Sequence, residues 1–174
     1  MYKVLGKKTV SEDISSNEQD ANIEKDNSIF SKDVMDYSQK QIVDLDRNFS
    51  FSVFLDGAKS AFNIIVSAYK NKNLQEVKDL LSSEVYENFK NSISQTKSKE
   101  DMKDFFKITS LKAAILNIEV EDKLAKIKVE FSSIQEPILE QENKKNNEIK
   151  DIWVFEREMD SDSLIWKLVE VSVK

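Results

Sequence analysis

The chain has 174 residues, which suits one domain of ordinary size together with a tail. It contains no His and no Cys, so imidazole acid–base chemistry, thiol nucleophiles, disulfides and the usual zinc ligand sets are excluded. Its two glycines, Gly6 and Gly57, are too few for a phosphate-binding loop or a dinucleotide fingerprint. The net charge is -6 and the basic residues are scattered, so we expect no binding to nucleic acid.

The first part of the chain is polar. Residues 9–27 are rich in Ser, Asn, Asp and Glu and carry too little apolar surface to offset the entropy of ordering, so we predict a disordered linker within residues 1–28. Residues 29–47 are assigned to a short amphipathic helix that docks on a surface. Its apolar side chains are Phe30, Val34, Tyr37, Ile42 and Leu45.

A long amphipathic helix is predicted from Phe51, because apolar residues recur there at steps of three and four and so form one stripe. After a polar break at residues 71–73 a shorter helix is predicted. A third helix follows, with Ser82 or Ser83 as its N-cap. The three stripes consist of Phe51, Phe54, Leu55, Ala58, Phe62, Ile65, Val66 and Tyr69, then Leu74, Val77, Leu80 and Leu81, and finally Val85, Phe89 and Ile93.

The period of the apolar pattern changes to two after the third helix. Residues 115–120 alternate loosely and residues 124–131 alternate clearly on either side of a polar turn, which is typical of a β-hairpin. A polar loop then leads to a second pair of strands at residues 152–158 and 165–173. Helices followed by antiparallel strands predict an α+β fold, in which the helices pack on a curved four-stranded antiparallel sheet.

Two groups of acidic residues are candidates for a catalytic or metal site. Glu119, Glu121 and Asp122 lie at the predicted hairpin tip, where solvated charge is the ordinary explanation. Asp160 and Asp162 resemble the start of a calcium loop, but the central Gly and the terminal bidentate Glu are missing. We therefore predict no catalytic residue, no metal site and no cofactor.

Large apolar side chains are predicted to converge beneath the first helix. Most should be core, but a cupped sheet covered by one long helix can leave an apolar pocket at its open end. Tyr69 and Tyr86 are candidates for its rim, since a buried hydroxyl needs a partner. The candidate pocket residues are Phe62, Ile65, Tyr69, Tyr86, Phe89, Trp153, Phe155 and Trp166.

Gly57 lies in the middle of the first predicted helix, where Gly costs about 1 kcal/mol relative to Ala. Ala58 and Ala61 are small residues beside it. We expect these three residues to permit a close approach of another element's backbone, so that Gly57→Leu would loosen or unfold the domain.

A family pattern is carried by Phe54, Gly57, Ala58, Ala61, Phe62, Val66 and Tyr69 in the first helix, by Leu80, Leu81, Glu84, Val85, Tyr86 and Phe89 in the next two, and by Trp153, Phe155, Arg157, Trp166 and Leu168 in the last strands. With these residues the chain resembles the C-terminal domain of the Tim44-like family, the peripheral anchor of the mitochondrial inner-membrane import motor, and especially its alphaproteobacterial members. The resemblance covers residues 49–174, and we assign residues 48–174 to the domain. Two turns depart from the family pattern, at residues 71–73 and at Ile165.

The resemblance implies a cone of helices over a twisted sheet, similar to nuclear transport factor two-like folds, with a large apolar pocket. It implies a non-enzymatic scaffold that binds the bacterial inner membrane or its lipid, and a protein partner from translocation or chaperone machinery. It also implies a membrane span ahead of residues 1–28, after which Lys3, Lys7 and Lys8 would keep the domain on the cytoplasmic face.

Two other functions stay open at this point. A small-molecule enzyme of the same cone fold would need an acid or base in its pocket, and the assigned apolar faces carry no Asp. A ribosome-docking protein would need a basic surface, and the acidic balance of the chain counts against it.

Overall fold

The computed structural model describes residues 36–95, 106–137 and 147–174. In these ranges four helical segments precede four strands. The helical segments are α1 (Asp36–Leu45), α2 (Phe51–Lys70), the 3-10 helix η1 (Leu74–Leu80) and α3 (Ser83–Gln95). The strands are β1 (Phe106–Glu121), β2 (Leu124–Pro137), β3 (Asn147–Glu158) and β4 (Lys167–Val173).

The four strands form one antiparallel sheet in the order β1-β2-β3-β4, and this sheet is not closed. The β1–β2 turn contains Asp122 in the left-handed region, with a φ of 53°, a conformation that Asp adopts more readily than most residues. Register shifts inside β1 and between β3 and β4 mark bulges, which bend a sheet and increase its twist. The predicted α+β fold with a curved antiparallel sheet is confirmed.

Helix α2 forms where its apolar stripe predicts it. Ser50 caps the first turn, because its Oγ accepts the Val53 N–H at 3.3 Å and so pairs a donor that the helix itself leaves open. Most of the α2 stripe is buried in the core, where the ring of Phe62 lies 4.6 Å from that of Phe131 and 4.7 Å from that of Trp153. The helix therefore packs over the inner face of the sheet.

The alternation of β2 places one side of the strand in the core. Its residues Ala125, Ile127, Val129 and Phe131 are fully buried, as the alternation predicts. Lys126, Lys128 and Glu130 lie between them along the strand and are only half-buried. The other strands add Ile115, Ile118, Trp153, Phe155 and Leu168 to the same core.

Several boundaries differ from the sequence predictions. The second predicted helix is the 3-10 helix η1, and β4 begins at Lys167 rather than at residue 165. β1 and β3 begin earlier than expected because residues such as Ile108, Leu111 and Ile149 are only partly buried and so give a weak alternation.

Helix α1 is part of the folded domain. It packs against β1, and its residue Ile42 is fully buried, so this segment of the predicted amphipathic helix docks on the domain itself. The predictions for residues 1–35 lie outside the described residues. Among the described helices, none has both the length and the apolar character that crossing a bilayer requires.

Candidate functional site

An apolar groove of about 380 Å³ opens beside the N-terminal half of α2. We call it the α2 groove. From α2 it is lined by Val53, Gly57 and Ala61, and from the β3–β4 loop by Leu164 and Ile165. Its other lining residues are Asp46, Asn48, Phe49, Ser50, Phe54, Ala58, Leu80, Arg157 and Trp166.

Aromatic rings that contact one another hold part of the groove lining in place. The ring of Trp166 lies 4.9 Å from that of Phe54 in an edge-to-face arrangement and 5.8 Å from that of Phe49. Phe49 in turn lies 4.9 Å from Phe51, again edge to face. Such pairs contribute about 0.5–1.5 kcal/mol each beyond the area that they bury. This lining is therefore packed before any ligand arrives.

Arg157 is a buried cation that connects the segments around the groove. Its Nε donates to the backbone oxygen of Ser163 in the β3–β4 loop at 3.1 Å, and one terminal nitrogen lies 3.5 Å from the carboxylate of Asp46 in the α1–α2 loop. Its guanidinium carbon lies 6.0 Å from the ring centre of Trp166. A single side chain therefore holds both loops next to the rings of Phe49, Phe54 and Trp166.

The sequence contains a signal for this role that our predictions did not use. Arg157 follows Trp153 and Phe155 at a spacing of two, so the alternation that buries the two rings also points Arg157 inward. A cation at such a position needs a charged or polar partner, and Asp46 supplies it.

The mouth of the groove carries three large apolar side chains that face solvent. Val53 is 69% exposed, Leu164 is 73% exposed and Ile165 is 47% exposed. Single exposed apolar residues are common on proteins, but a group of them around one concavity is typical of a binding surface.

The eight predicted pocket residues separate into three groups, and Trp166 is the one among them that lines the α2 groove. Phe62, Ile65, Trp153 and Phe155 are buried in the core instead. Phe62 and Trp153 cover each other at 4.7 Å between ring centres, and Trp153 and Phe155 lie 6.2 Å apart. These four side chains stabilise the domain rather than line the groove.

The remaining three, Tyr69, Tyr86 and Phe89, lie where the end of α2 meets η1 and α3 and do not line the α2 groove. Tyr69 packs edge to face on Phe89 at 5.4 Å, and its hydroxyl lies 2.7 Å from the Ser92 Oγ. The Nζ of Lys78 lies 5.8 Å from the ring centre of Tyr86. The Tyr69 hydroxyl therefore has a hydrogen-bond partner, as the sequence analysis expects of a buried tyrosine hydroxyl.

Gly57, Ala58 and Ala61 lie together in the groove lining, but the expected close approach is absent. A Cβ added at Gly57 meets no heavy atom within 4 Å outside its own helix, among the described residues. The prediction of close backbone packing at Gly57 is therefore wrong for this part of the chain. The reason is that open groove, and not a neighbouring element, lies against this face of α2.

The acidic residues singled out from the sequence lie at the surface. The Asp160 carboxylate lies 2.7 Å from the Lys123 ammonium, and this hydrogen bond lowers the pKa of Asp160. Glu119 lies in a polar depression of about 150 Å³ that also contains Lys126 and Lys128. In the described residues there is no group of three or more side chains suited to hold a metal ion.

Asp151 is the described carboxyl whose environment raises its pKa, and the cause is partial burial. It lies on β3 two residues before Trp153, and therefore on the inner side of the sheet. It lines neither the α2 groove nor the polar depression. Asp151 therefore does not supply the groove with the acid or base that an enzyme of this fold would need.

Comparison with known families gives a match to the Tim44-like domain over residues 36–173. The match begins with α1 and ends with β4, so it includes every described element. No curated protein matches the chain.

Proposed function

Because the chain belongs to the Tim44-like domain family, we propose that it is a non-catalytic scaffold whose α2 groove holds an apolar group of its ligand. The family is associated with membranes and with protein translocation. As the resemblance implies, we assign this member to the cytoplasmic face of a bacterial inner membrane. There the groove would bind a lipid acyl chain or the apolar side chains of a translocation or chaperone partner.

The observation that carries the proposal is an apolar groove with an exposed apolar mouth. Its volume of about 380 Å³ lies within the usual range of small-ligand sites, roughly 300–1,000 Å³. Full burial of one side chain the size of Leu is worth roughly 1.5–3 kcal/mol. Covering Leu164, Ile165 and Val53 would therefore contribute substantially to binding, although ordering costs reduce the net gain.

The charges in the groove favour recognition of the apolar part of a ligand. Arg157 and Asp46 lie 3.5 Å apart and neutralise each other, so neither is available to pair with a lipid headgroup. The net charge of -6 also opposes attraction to anionic lipid. We therefore expect binding to depend on apolar contact and to change little with salt.

The two alternative functions receive less support from the described residues. Asp46 is the carboxylate in the groove lining, and it is engaged by Arg157 and by the Asn48 N–H. The polar depression on the sheet combines Lys126 and Lys128 with Glu119 and Glu170, which is not the basic surface that ribosomal RNA would need.

Tryptophan fluorescence of the full chain can test groove binding directly. The two tryptophans differ in position, since Trp166 lines the groove whereas Trp153 is buried in the core. Vesicles of phosphatidylcholine with brominated acyl chains should quench Trp166 on contact. We expect Trp166→Phe to remove most of the quenching.

A matched pair of variants on α2 separates groove binding from general adsorption. Gly57→Leu places a large side chain into the groove, whereas Asn63→Leu adds the same side chain at an exposed position outside its lining. Quenching should fall in Gly57→Leu and persist in Asn63→Leu. Equal quenching in both variants would refute ligand binding in the groove. If the parent chain shows no quenching, the ligand is not a lipid acyl chain, and an apolar peptide is the ligand to titrate next.

A further inference from the structure

One edge of the sheet, formed by β4, is open along part of its length. The Leu168 carbonyl is engaged outside the sheet, because it accepts the Ser82 N–H at 2.9 Å. Residues 170–174 are all exposed, and in the described part of the chain no strand pairs with their outer side. An open edge of this kind is a template for pairing with a further strand.

The register between β3 and β4 determines which backbone groups reach this edge. The Lys174 N–H donates to the Lys150 carbonyl at 3.0 Å and therefore points toward β3. Because the direction alternates along a strand, the N–H and C=O groups of Val173 and Val171 point outward. Their side chains lie on the inner face of the sheet, since Val171 stands opposite Trp153. Val171 is 38% exposed and Val173 is 72% exposed.

We propose that β4 pairs antiparallel with β4 of a second copy of this chain, with the two Ser172 residues facing each other across the twofold axis. Val171 then stands opposite Val173 of the second copy, and the outward N–H and C=O groups of both residues become paired. Glu170 stands opposite Lys174 of the second copy. The contact is self-complementary, as a twofold interface must be.

Charge complementarity and hydrogen bonding select this register over its neighbours. A shift by one residue sets the outward groups against residues whose groups point inward, so the ladder cannot form. A shift that places Val171 opposite itself leaves Glu170 opposite Ser172 and loses both opposite-charge pairs. Glu170 and Lys174 lie on the outer face, where Lys174 already contacts Glu130 at 3.1 Å, so the second copy would add a second carboxylate to this lysine.

Such an interface goes beyond the proposed function, because it uses a different surface and requires no ligand. Five residues from each copy form a small contact, so we expect dimerisation to be weak in dilute solution and to depend on protein concentration. Copies that are held on one membrane would meet at a much higher effective concentration. A dimer would then carry two α2 grooves and bind a membrane or a multivalent partner more tightly than one copy does.

Disulfide trapping in the full chain tests both the interface and its register. The chain has no Cys, so a single introduced thiol can form only an intermolecular bond. At a non-hydrogen-bonded antiparallel pair the Cα atoms lie about 4.5 Å apart, within the roughly 4.4–6.8 Å that a disulfide spans. Ser172→Cys should therefore form a covalent dimer under mild oxidation. Val171→Cys is the matched control, since its two copies would lie roughly 8 Å apart, beyond disulfide reach.

A charge exchange provides an independent test by sedimentation equilibrium. Glu170→Lys sets like charges opposite each other at two symmetric positions and should weaken the dimer about tenfold. Combining it with Lys174→Glu should restore the affinity of the parent chain, and thermal unfolding of each variant checks that the domain is still folded.

Three results would overturn the proposal. The first is a parent chain that stays monomeric at protein concentrations up to about 1 mM. In that case the edge would be free for an extended segment of another protein. The second is equal trapping of Ser172→Cys and Val171→Cys. The third is a dimer whose affinity Glu170→Lys leaves unchanged. Loss of groove binding in Gly57→Leu would not affect any of these results, so the two proposals fail separately.

Discussion

Replacement of Gly57 by Ala should stabilise the protein. Gly57 lies inside α2, where Ala is favoured over Gly by about 0.8–1.0 kcal/mol because it loses less backbone entropy on folding. Among the described residues, the added methyl group meets no heavy atom within 4 Å outside its own helix, so no steric cost from them reduces this gain. The free energy of unfolding should therefore rise by about 1 kcal/mol, which corresponds to about 4 °C in the thermal midpoint of a domain of this size.

Urea unfolding followed by far-UV circular dichroism measures this change, provided that the slope with denaturant stays constant. Ala61→Gly is a suitable control, because it reverses the substitution at another groove position of the same helix and should lower stability. A destabilised Gly57→Ala would refute the reasoning. It would show that another part of the chain packs against this glycine, as the sequence alone had led us to expect.

Three further predictions concern the core and its buried charges. Phe62→Ala should lower the free energy of unfolding by about 3–5 kcal/mol in the same urea assay, because this side chain is 1% exposed and packs against the rings of Phe131 and Trp153. Asp46→Asn should lower the free energy of unfolding by about 1–3 kcal/mol, because it leaves the buried guanidinium of Arg157 without its carboxylate. The double variant with Arg157→Met should recover part of that stability, and a double-mutant cycle measures how much. Asp151→Asn should raise the thermal midpoint at pH 7, because burial raises the pKa of Asp151 and its charged form therefore costs stability at neutral pH. This cost is lost as the pH falls through the raised pKa, so the gain should disappear below about pH 4, and an equal gain at both pH values would contradict the assignment.

The sequence predicts the helices and strands in which one side is buried and the other is exposed to solvent. The stripe of α2 and the alternation of β2 are both of this kind, and Phe62 and Phe131 meet where the two patterns predict a common core. The signal is weak where burial is partial. The first half of β1 contains Ile108 and Leu111, which are half-buried, and the alternation therefore did not reveal that part of the strand.

The position of the groove could not be predicted in the same way. Periodicity shows which residues avoid water, but it does not show which of them lack a neighbour once the chain has folded. Phe62 and Trp153 belong to the predicted pocket set, yet they cover each other in the core. The groove forms instead where Gly57 leaves room beside α2 and where Leu164 comes close from a loop with no periodic pattern.

Arg157 couples the stability of the domain to the shape of the groove. Its bond to the Ser163 carbonyl holds the residue directly before Leu164, and its ion pair with Asp46 holds the loop that carries Phe49. Loss of the Asp46 carboxylate should therefore release the α1–α2 loop and leave the guanidinium that holds the β3–β4 loop without its charged partner. Asp46→Asn should then weaken the quenching of Trp166 by brominated chains as well as the fold, whereas Phe62→Ala should lower stability and leave the quenching of the folded protein unchanged. A variant of Asp46 that loses stability but binds like the parent chain would show that the groove is held by its aromatic contacts alone.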